Sequence, residues 1–314
     1  MKGNTGMRRF GVLLVVALAA LIVAASPAFA YTFTRELRPG DTGKDVKALQ
    51  IRIAGWYPKD DQSRLALDGK YGPTTAASVK AFQEFYGLTP DSVAGPATFA
   101  VIDGLEDDNG STLHFNWKEF TQNNNSGCSA KANAYSGTFK GGSVAPRRAR
   151  KNVKKVMWRL EALRAKAGNN PIGINSAFRS TAYNDCIGGA RLSQHMYGTA
   201  VDNRMAKVSN RTERDLAKAT QFSGIGCYSS MSHNHFDLRV DNRDLAGARF
   251  WWWPDRDKSG RDLAEDGKPC WGETATNQKS TASVGGDRVA PLIPSASFLR
   301  LFSTTSEWYG GLAD

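Results

Sequence analysis

The chain has 314 residues, a formal net charge of +11, four cysteines and only four histidines. That length allows two modest domains at the usual size of about 100 to 200 residues each. The basic excess is moderate and no base-reading motif accompanies it, which excludes a dedicated nucleic-acid binder and favours an anionic surface such as a cell wall. A solvated basic surface accounts for most of these charges equally well.

Residues 1–30 open with Lys2, Arg8 and Arg9, continue as an apolar run over 12–25, and end in Ala28, Phe29 and Ala30, a small-x-small pattern. This is the layout of a secretory signal. The apolar run is shorter than the roughly 20 residues that span a bilayer, and no later stretch approaches that length. Cleavage before Tyr31 removes three cations and no acid, bringing the +11 to +8. The expected location is extracellular or wall-associated, with no membrane segment after cleavage. In an oxidising compartment Cys128, Cys186, Cys227 and Cys270 point to two disulfides with three possible connectivities, of which Cys128 with Cys186 and Cys227 with Cys270 is favoured. Their wide spacing argues against a cysteine metal cluster.

Residues 31–105 form the first domain. Val46, Leu49, Ile51 and Ile53 give an approximate helical stripe that Thr42 or Asp41 would cap and Gly55 would end. After a turn at Asp68, Gly69, Tyr71, Gly72 and Pro73, a second helix starts at Thr74 or Thr75 and buries Val79, Phe82 and Phe85. A short third helix follows Gly95 and Pro96. Gly40, Asp41, Gly43, Asp45, Val46, Leu49 and Gln50, then Asp68, Gly69, Tyr71 and Gly72, then Phe82, Gln83, Gly87 and Leu88 resemble the peptidoglycan-binding domain type 1, a three-helix bundle. Val46, Leu49, Val79 and Phe82 are core positions, and the loop 68–73 is a candidate contact with glycan or stem peptide. Residues 106–112 are polar, lack an apolar period and fit a flexible linker that lets two domains search independently.

The second domain spans 113–273. Val153, Val156, Met157, Leu160 and Leu163 recur at helical spacing, opposite Arg147, Arg150, Lys151, Lys154 and Arg159, which predicts an amphipathic surface helix ending at Gly168. Ile172 and Ile174 read as a strand leading to Arg179. Residues 212–222 read as a helix with Leu216, Ala219 and Phe222 inward. Gly224, Ile225 and Gly226 open a strand that carries His233 and His235. Trp251, Trp252 and Trp253 read as core or edge packing rather than a substrate platform, and residues 274–314 are Ser-, Thr- and Gly-rich and read as disordered.

The chemistry concentrates in two short segments. His195 and Asp202 are seven residues apart, about 10 Å along a continuous helix, so the chain must turn between them to bring both to one ion, and Gly198 suits that turn. His233, His235 and Asp237 alternate, so on a strand they share a face. Imidazole and carboxylate donors without cysteine suit one zinc ion per chain, and three protein ligands leave a position open for water, as hydrolytic sites do. A buried histidine and a chance His-x-His pair are the plain alternative.

Ser193-x-His195-x-x-Gly198-x-Ala200-x-Asp202 with the late His235-x-Asp237 resembles the zinc D-alanyl-D-alanine carboxypeptidases of the M15 peptidase family, in particular the secreted actinobacterial type. The resemblance implies His195, Asp202 and His235 as zinc ligands and His233 as the catalytic proton-transfer group. Through Ser176, Ala177, Phe178, Arg179 and Ser180 it implies substrate contact by Arg179. Asp237 and Ser193 would orient a ligand or meet the substrate. Ser232 stands where dipeptidase-type relatives carry a glutamate base. The expectation is an α+β protein: a three-helix peptidoglycan-binding bundle, then an α+β zinc peptidase domain with a small antiparallel sheet, acting as a monomer on stem peptides. A murein DD-endopeptidase and a non-catalytic wall-binding protein are the alternatives.

Overall fold

Val46, Leu49 and Ile53 lie on one stripe of the first helix, α1 (Lys44–Ile53), and all three are fully buried. The computed structural model describes residues 31–58, 64–123, 126–227, 233–238, 251–256 and 262–263. Gly43, not Thr42 or Asp41, occupies the N-cap, and the chain continues past Ile53 into a 3-10 turn, Ala54–Trp56, so Gly55 does not end the helical path. Helices α2 (Pro73–Phe85) and α3 (Pro96–Gly104) each begin on a proline, whose missing N–H is no loss at a helix start. Val79 and Phe82 meet α1 in one apolar cluster, with Trp56 edge-on to Phe82 at 5.0 Å between ring centres. Buried Gln50 donates to Asp68, Thr75 and the Lys70 carbonyl and accepts the Gly69 N–H, which pins the 68–73 loop to α1.

Residues 106–112 close on themselves rather than forming the flexible tether that their polarity suggested. Glu106 bridges to Thr112, and the Asp107 N–H reaches the Ser111 carbonyl at 3.0 Å. The Glu106 carboxylate is buried, taking Arg52 through Nε at 2.8 Å and Nη2 at 2.5 Å on one oxygen and Lys154 on the other. The acid is polar because its partners are, and they come from distant parts of the chain.

After a short helix, α4 (Ser129–Asn133), comes the long α5 (Pro146–Lys166). It is a shared wall, not the surface helix expected. Val153, Val156, Met157, Leu160 and Leu163 face the core of the second domain, while Trp158 and Ala162 belong to the core of the first. Arg159, expected on a solvated basic face, is buried. Lys166 Nζ, on the last turn, donates to the Gly55 carbonyl at 2.9 Å and the Ala219 carbonyl at 3.0 Å.

The sheet contains β1 (Ile172–Ser176), β2 (Ala200–Met205), β3 (Gly224–Cys227), β4 (Asn234–Asp237), β5 (Trp251–Arg256) and β6 (Asp262–Leu263) in the order β1-β2-β4-β3-β5-β6. The first four in that order form the expected antiparallel sheet, and β5 joins β3 in parallel. The segment expected as one strand from Gly224 through His235 is two: β3 and β4 lie antiparallel, with Gly226 opposite His235.

One helix lies beside α4 and another packs against this sheet. In α6 (Thr181–Cys186), the Ser180 hydroxyl caps the Tyr183 N–H. In α7 (Asn210–Ala219), the Ser209 hydroxyl caps the Thr212 N–H. Phe222 is buried and Leu216 packs against the same core, as expected, while α7 also turns Glu213, Arg214 and Ala217 inward and leaves Ala219 half-buried.

Cys128 and Cys186 form a disulfide across 58 residues. The second expected pairing, Cys227 with Cys270, lies outside the described residues, as do residues 1–30, the side chains of Trp251 to Trp253, and residues 274–314. Among the described residues no helix is long and apolar enough to cross a membrane.

Candidate metal centre

Gly198 makes the bend that the spacing of His195 and Asp202 demanded. His195 sits in a 3-10 turn, Gln194–Tyr197; Gly198 follows with φ +69°, and β2 begins two residues later. A Cβ at Gly198 would come within 2.8 Å of the Ala149 carbonyl, so both the backbone angle and the space require glycine. Thr199 Oγ1 closes the bend on the Gln194 carbonyl at 3.0 Å. The Arg179 N–H reaches the His195 carbonyl at 3.1 Å and joins this turn to the segment after β1.

Three donor atoms from three elements converge. His195 Nε2 lies 3.2 Å from Asp202 Oδ1 and 3.2 Å from His235 Nδ1, and the latter two are 2.7 Å apart. A four-coordinate zinc with ligand bonds near 2.0–2.1 Å separates its donors by about 3.3 Å, so the triangle is of the right size, slightly closed on the Asp202–His235 side. All three residues are buried, and among the described residues they form the one His/Cys/Asp/Glu group placed to hold a metal. The donor chemistry, two imidazoles and a carboxylate, fits zinc.

Each imidazole is oriented from behind. His195 Nδ1 faces the Ala177 carbonyl at 2.6 Å; a carbonyl only accepts, so Nδ1 carries the hydrogen and Nε2 offers its lone pair to the centre. His235 Nε2 faces Asp237 Oδ2 at 3.3 Å, which leaves Nδ1 inward. Asp237 fits because residue 224 has no side chain: a Cβ there would overlap the Asp237 carboxylate at 2.3 Å.

The electrostatics follow from this packing. Burial drives the His195 ring down to about 4, helped by the Arg179 charge and only partly opposed by Asp202. Burial would also neutralise His235, but its bonds to Asp202 and Asp237 outweigh that and raise it to about 9. Burial alone would raise the Asp202 carboxyl; the two histidines reverse the effect and hold it well below the carboxylate range. Between two carboxylates, the His235 ring thus holds its second proton to higher pH than a free imidazole.

The remaining expected residues are placed as follows. Arg179 Nη2 donates to Asp202 Oδ2 at 2.6 Å and Nε to Ser176 Oγ at 3.0 Å, so in this structure it braces a ligand; its Nη1 has no hydrogen-bond partner among the described residues. His233 lies outside the triangle, half-buried, on the bend one residue before β4. Ser193 is half-buried at the start of the His195 turn, and its hydroxyl caps nothing. The fourth histidine, His114, pairs with Glu161 at 2.9 Å, away from the centre.

Sequence reasoning missed the braces Ala177, Ser176 and Asn123. It also missed a buried set on the opposite face of β2 and β4, where Glu213 accepts from Asn203 and, at 2.7 Å, from Asn234, itself bonded to Arg214 at 3.1 Å. The alternation of β2 and β4 could have found this set: Asn203 and Asn234 each adjoin a ligand and must face the other way.

Comparison with known proteins agrees with this geometry. The Peptidase M15 family model matches residues 114–237, and the peptidoglycan-binding domain type 1 model matches residues 42–102. A zinc D-Ala-D-Ala carboxypeptidase of Streptomyces albus G is 41% identical over 226 residues, covering 71% of this chain and 81% of that protein. An N-acetylmuramoyl-L-alanine amidase, CwlL, of Bacillus licheniformis is 37% identical over 65 residues, 20% of this chain and 18% of that protein. With a relative of that identity matched over most of its length, and a converging His195, Asp202 and His235 inside the matched region, the chain belongs to the M15 peptidase family.

Proposed function

We propose that this chain is a secreted zinc-dependent D-Ala-D-Ala carboxypeptidase that trims the stem peptides of peptidoglycan, with one zinc per monomer. The observation that carries this reading is the triangle of His195 Nε2, Asp202 Oδ1 and His235 Nδ1, braced from behind and set beside the Arg179 guanidinium. Zinc in such a site polarises a carbonyl oxygen and lowers the pKa of water in its open position towards neutrality. Arg179 offers the N–H groups of Nη1 to the terminal carboxylate of the substrate, a charge-assisted hydrogen bond. His233 moves the proton to the departing D-alanine, a task suited to an imidazole. Asp237 keeps His235 Nδ1 aimed at the centre. The Ser193 hydroxyl, half-buried at the start of the His195 turn and capping nothing there, meets the substrate. The domain at 31–105 holds the enzyme on the wall, after the signal at 1–30 has directed export.

The test combines metal content with product analysis. Purified protein should contain one zinc per chain and release D-alanine from a soluble tripeptide ending in D-Ala-D-Ala, lose activity to a chelator, and regain it with zinc. Cleavage of cross-linked wall without release of D-alanine from the tripeptide would replace the reading with an endopeptidase. His233→Ala should abolish turnover and retain zinc; loss of zinc would make His233 a ligand instead.

A further inference from the structure

Alternation along β1 should place residue 176 on the same side as Ile172 and Ile174, towards the core. It does not, because the pairing with β2 slips: Ile174 faces Asn203, Ser176 faces Asp202, and Asn175 is the extra residue of a bulge. A one-residue slip exchanges the faces of a strand. Ser176 is thereby turned to the side of Asp202, the metal-facing side, next to the Arg179 guanidinium.

A hydrogen-bond chain of fixed polarity runs from there. Arg179 can only donate, so its Nε gives a hydrogen to Ser176 Oγ at 3.0 Å. The one hydroxyl proton of Ser176 then goes to Asn123 Oδ1. The Asn123 amide cannot be reversed, because Nδ2 lies 3.0 Å from the Phe178 carbonyl, which only accepts; Nδ2 also reaches Tyr135 Oη at 2.8 Å. Phe178 is itself held by its N–H on the Phe120 carbonyl at 2.9 Å. Asn123 is buried, so this end of the chain is anchored in the core. At the other end Arg179 Nη2 takes Asp202 Oδ2 at 2.6 Å and leaves Oδ1 to the two histidines.

We propose that Ser176 and Asn123 are positioning residues that lock Arg179 onto Asp202 Oδ2 and so restrict Asp202 to offering one oxygen to the metal. The inference rests on the metal reading above. With the lock removed, the guanidinium swings and the carboxylate is free to present both oxygens. Turnover falls because the metal environment and the substrate-facing arginine are disturbed together.

Ser176→Ala deletes only the hydroxyl at a half-exposed position, and Asn123→Ala removes the anchor. The probe is cobalt(II) in place of zinc, whose visible absorbance reports the number and arrangement of ligand atoms. Ser176→Ala should change that absorbance by about two-fold or more and lower kcat/KM on a D-Ala-D-Ala tripeptide by about ten-fold. Its Tm should stay within about 2 °C of the parent. Ser176→Thr, which keeps a hydroxyl on a strand-favouring side chain, should restore the parental spectrum. If Asn123→Ala fails to fold, the two Ser176 variants still decide the matter. A parental spectrum and activity in Ser176→Ala would overturn the inference alone. Failure of the parent protein to take up cobalt or zinc would overturn the metal reading, and the inference with it.

Discussion

Asp202 and His235 stand opposite one another in the β2–β4 ladder, and their facing atoms, Oδ1 and Nδ1, are 2.7 Å apart. Two of the three donors are therefore set by strand register, and only His195 depends on a turn. Such a centre is as rigid as the sheet that carries it.

The first prediction concerns protons. In the metal-free chain His235 is pushed up to about 9, because its bonds to Asp202 and Asp237 outweigh burial. A ligand must be deprotonated to bind, so metal uptake near neutral pH expels about one proton, and affinity rises about ten-fold per pH unit until His235 titrates by itself. Calorimetry in two buffers of different ionisation enthalpy should count that proton at about pH 7.5 and find none at about pH 10. A proton count that does not change with pH would refute it.

Glu213 sets a stability that depends on pH. Burial raises its carboxyl from 4.5 to about 7, despite the amides of Asn234 and Asn203 that bond its charged form. A raised folded value means the native state holds the proton more tightly. The stability is then fully present below about pH 4.5 and is lost as pH rises through about 7, by at most about 3 kcal/mol. Asn203 Oδ1 has no partner among the described residues, so a turn of that amide supplies the acceptor that a protonated acid or a glutamine needs. Urea melts of Glu213→Gln across that range should lose this slope; an unchanged slope assigns it to other groups.

Trp158 projects from α5 into the core of the first domain, fully buried. Trp158→Ala should cost about 3–5 kcal/mol. Because α5 serves both cores, the parent should unfold in one calorimetric transition, and the variant should either keep one at lower temperature or separate into two. A parent that already melts in two well-separated steps would contradict the shared wall.

The Cys128–Cys186 bond closes a segment of 58 residues. On loop entropy its removal costs about 4 kcal/mol. The double variant Cys128→Ser with Cys186→Ser should show that loss in denaturant midpoints while zinc content stays at the parental level, since neither cysteine touches the triangle.

The site was legible where chemistry restricts residue type. Imidazoles and a carboxylate at those spacings have few other uses, and Gly198 was readable because few other residues accept its backbone angle. The second wall of α5 was hidden by Arg159, a charged residue that reads as solvated but is buried beside Trp158. Ser176 was hidden by a bulge, which changes the face of a strand without any mark in composition. Glu213 went unnoticed, and Glu106 was taken for linker, for one reason: a buried acid looks like a surface acid until its partners arrive from elsewhere in the chain.

Under the wall-holding role proposed for residues 31–105, the common helix α5 limits the reach of the enzyme. A leash would let the cutting site sweep a sphere around its mooring; a stiff joint instead works as a gauge, admitting only those peptide tails that leave the held glycan at one offset and heading. Lengthening the turn at 106–112 would not widen that field, because the angle is fixed at Trp158, Ala162 and Lys166. Each moored molecule should clip a sparse, regular set of termini and then release its hold before it can clip the next.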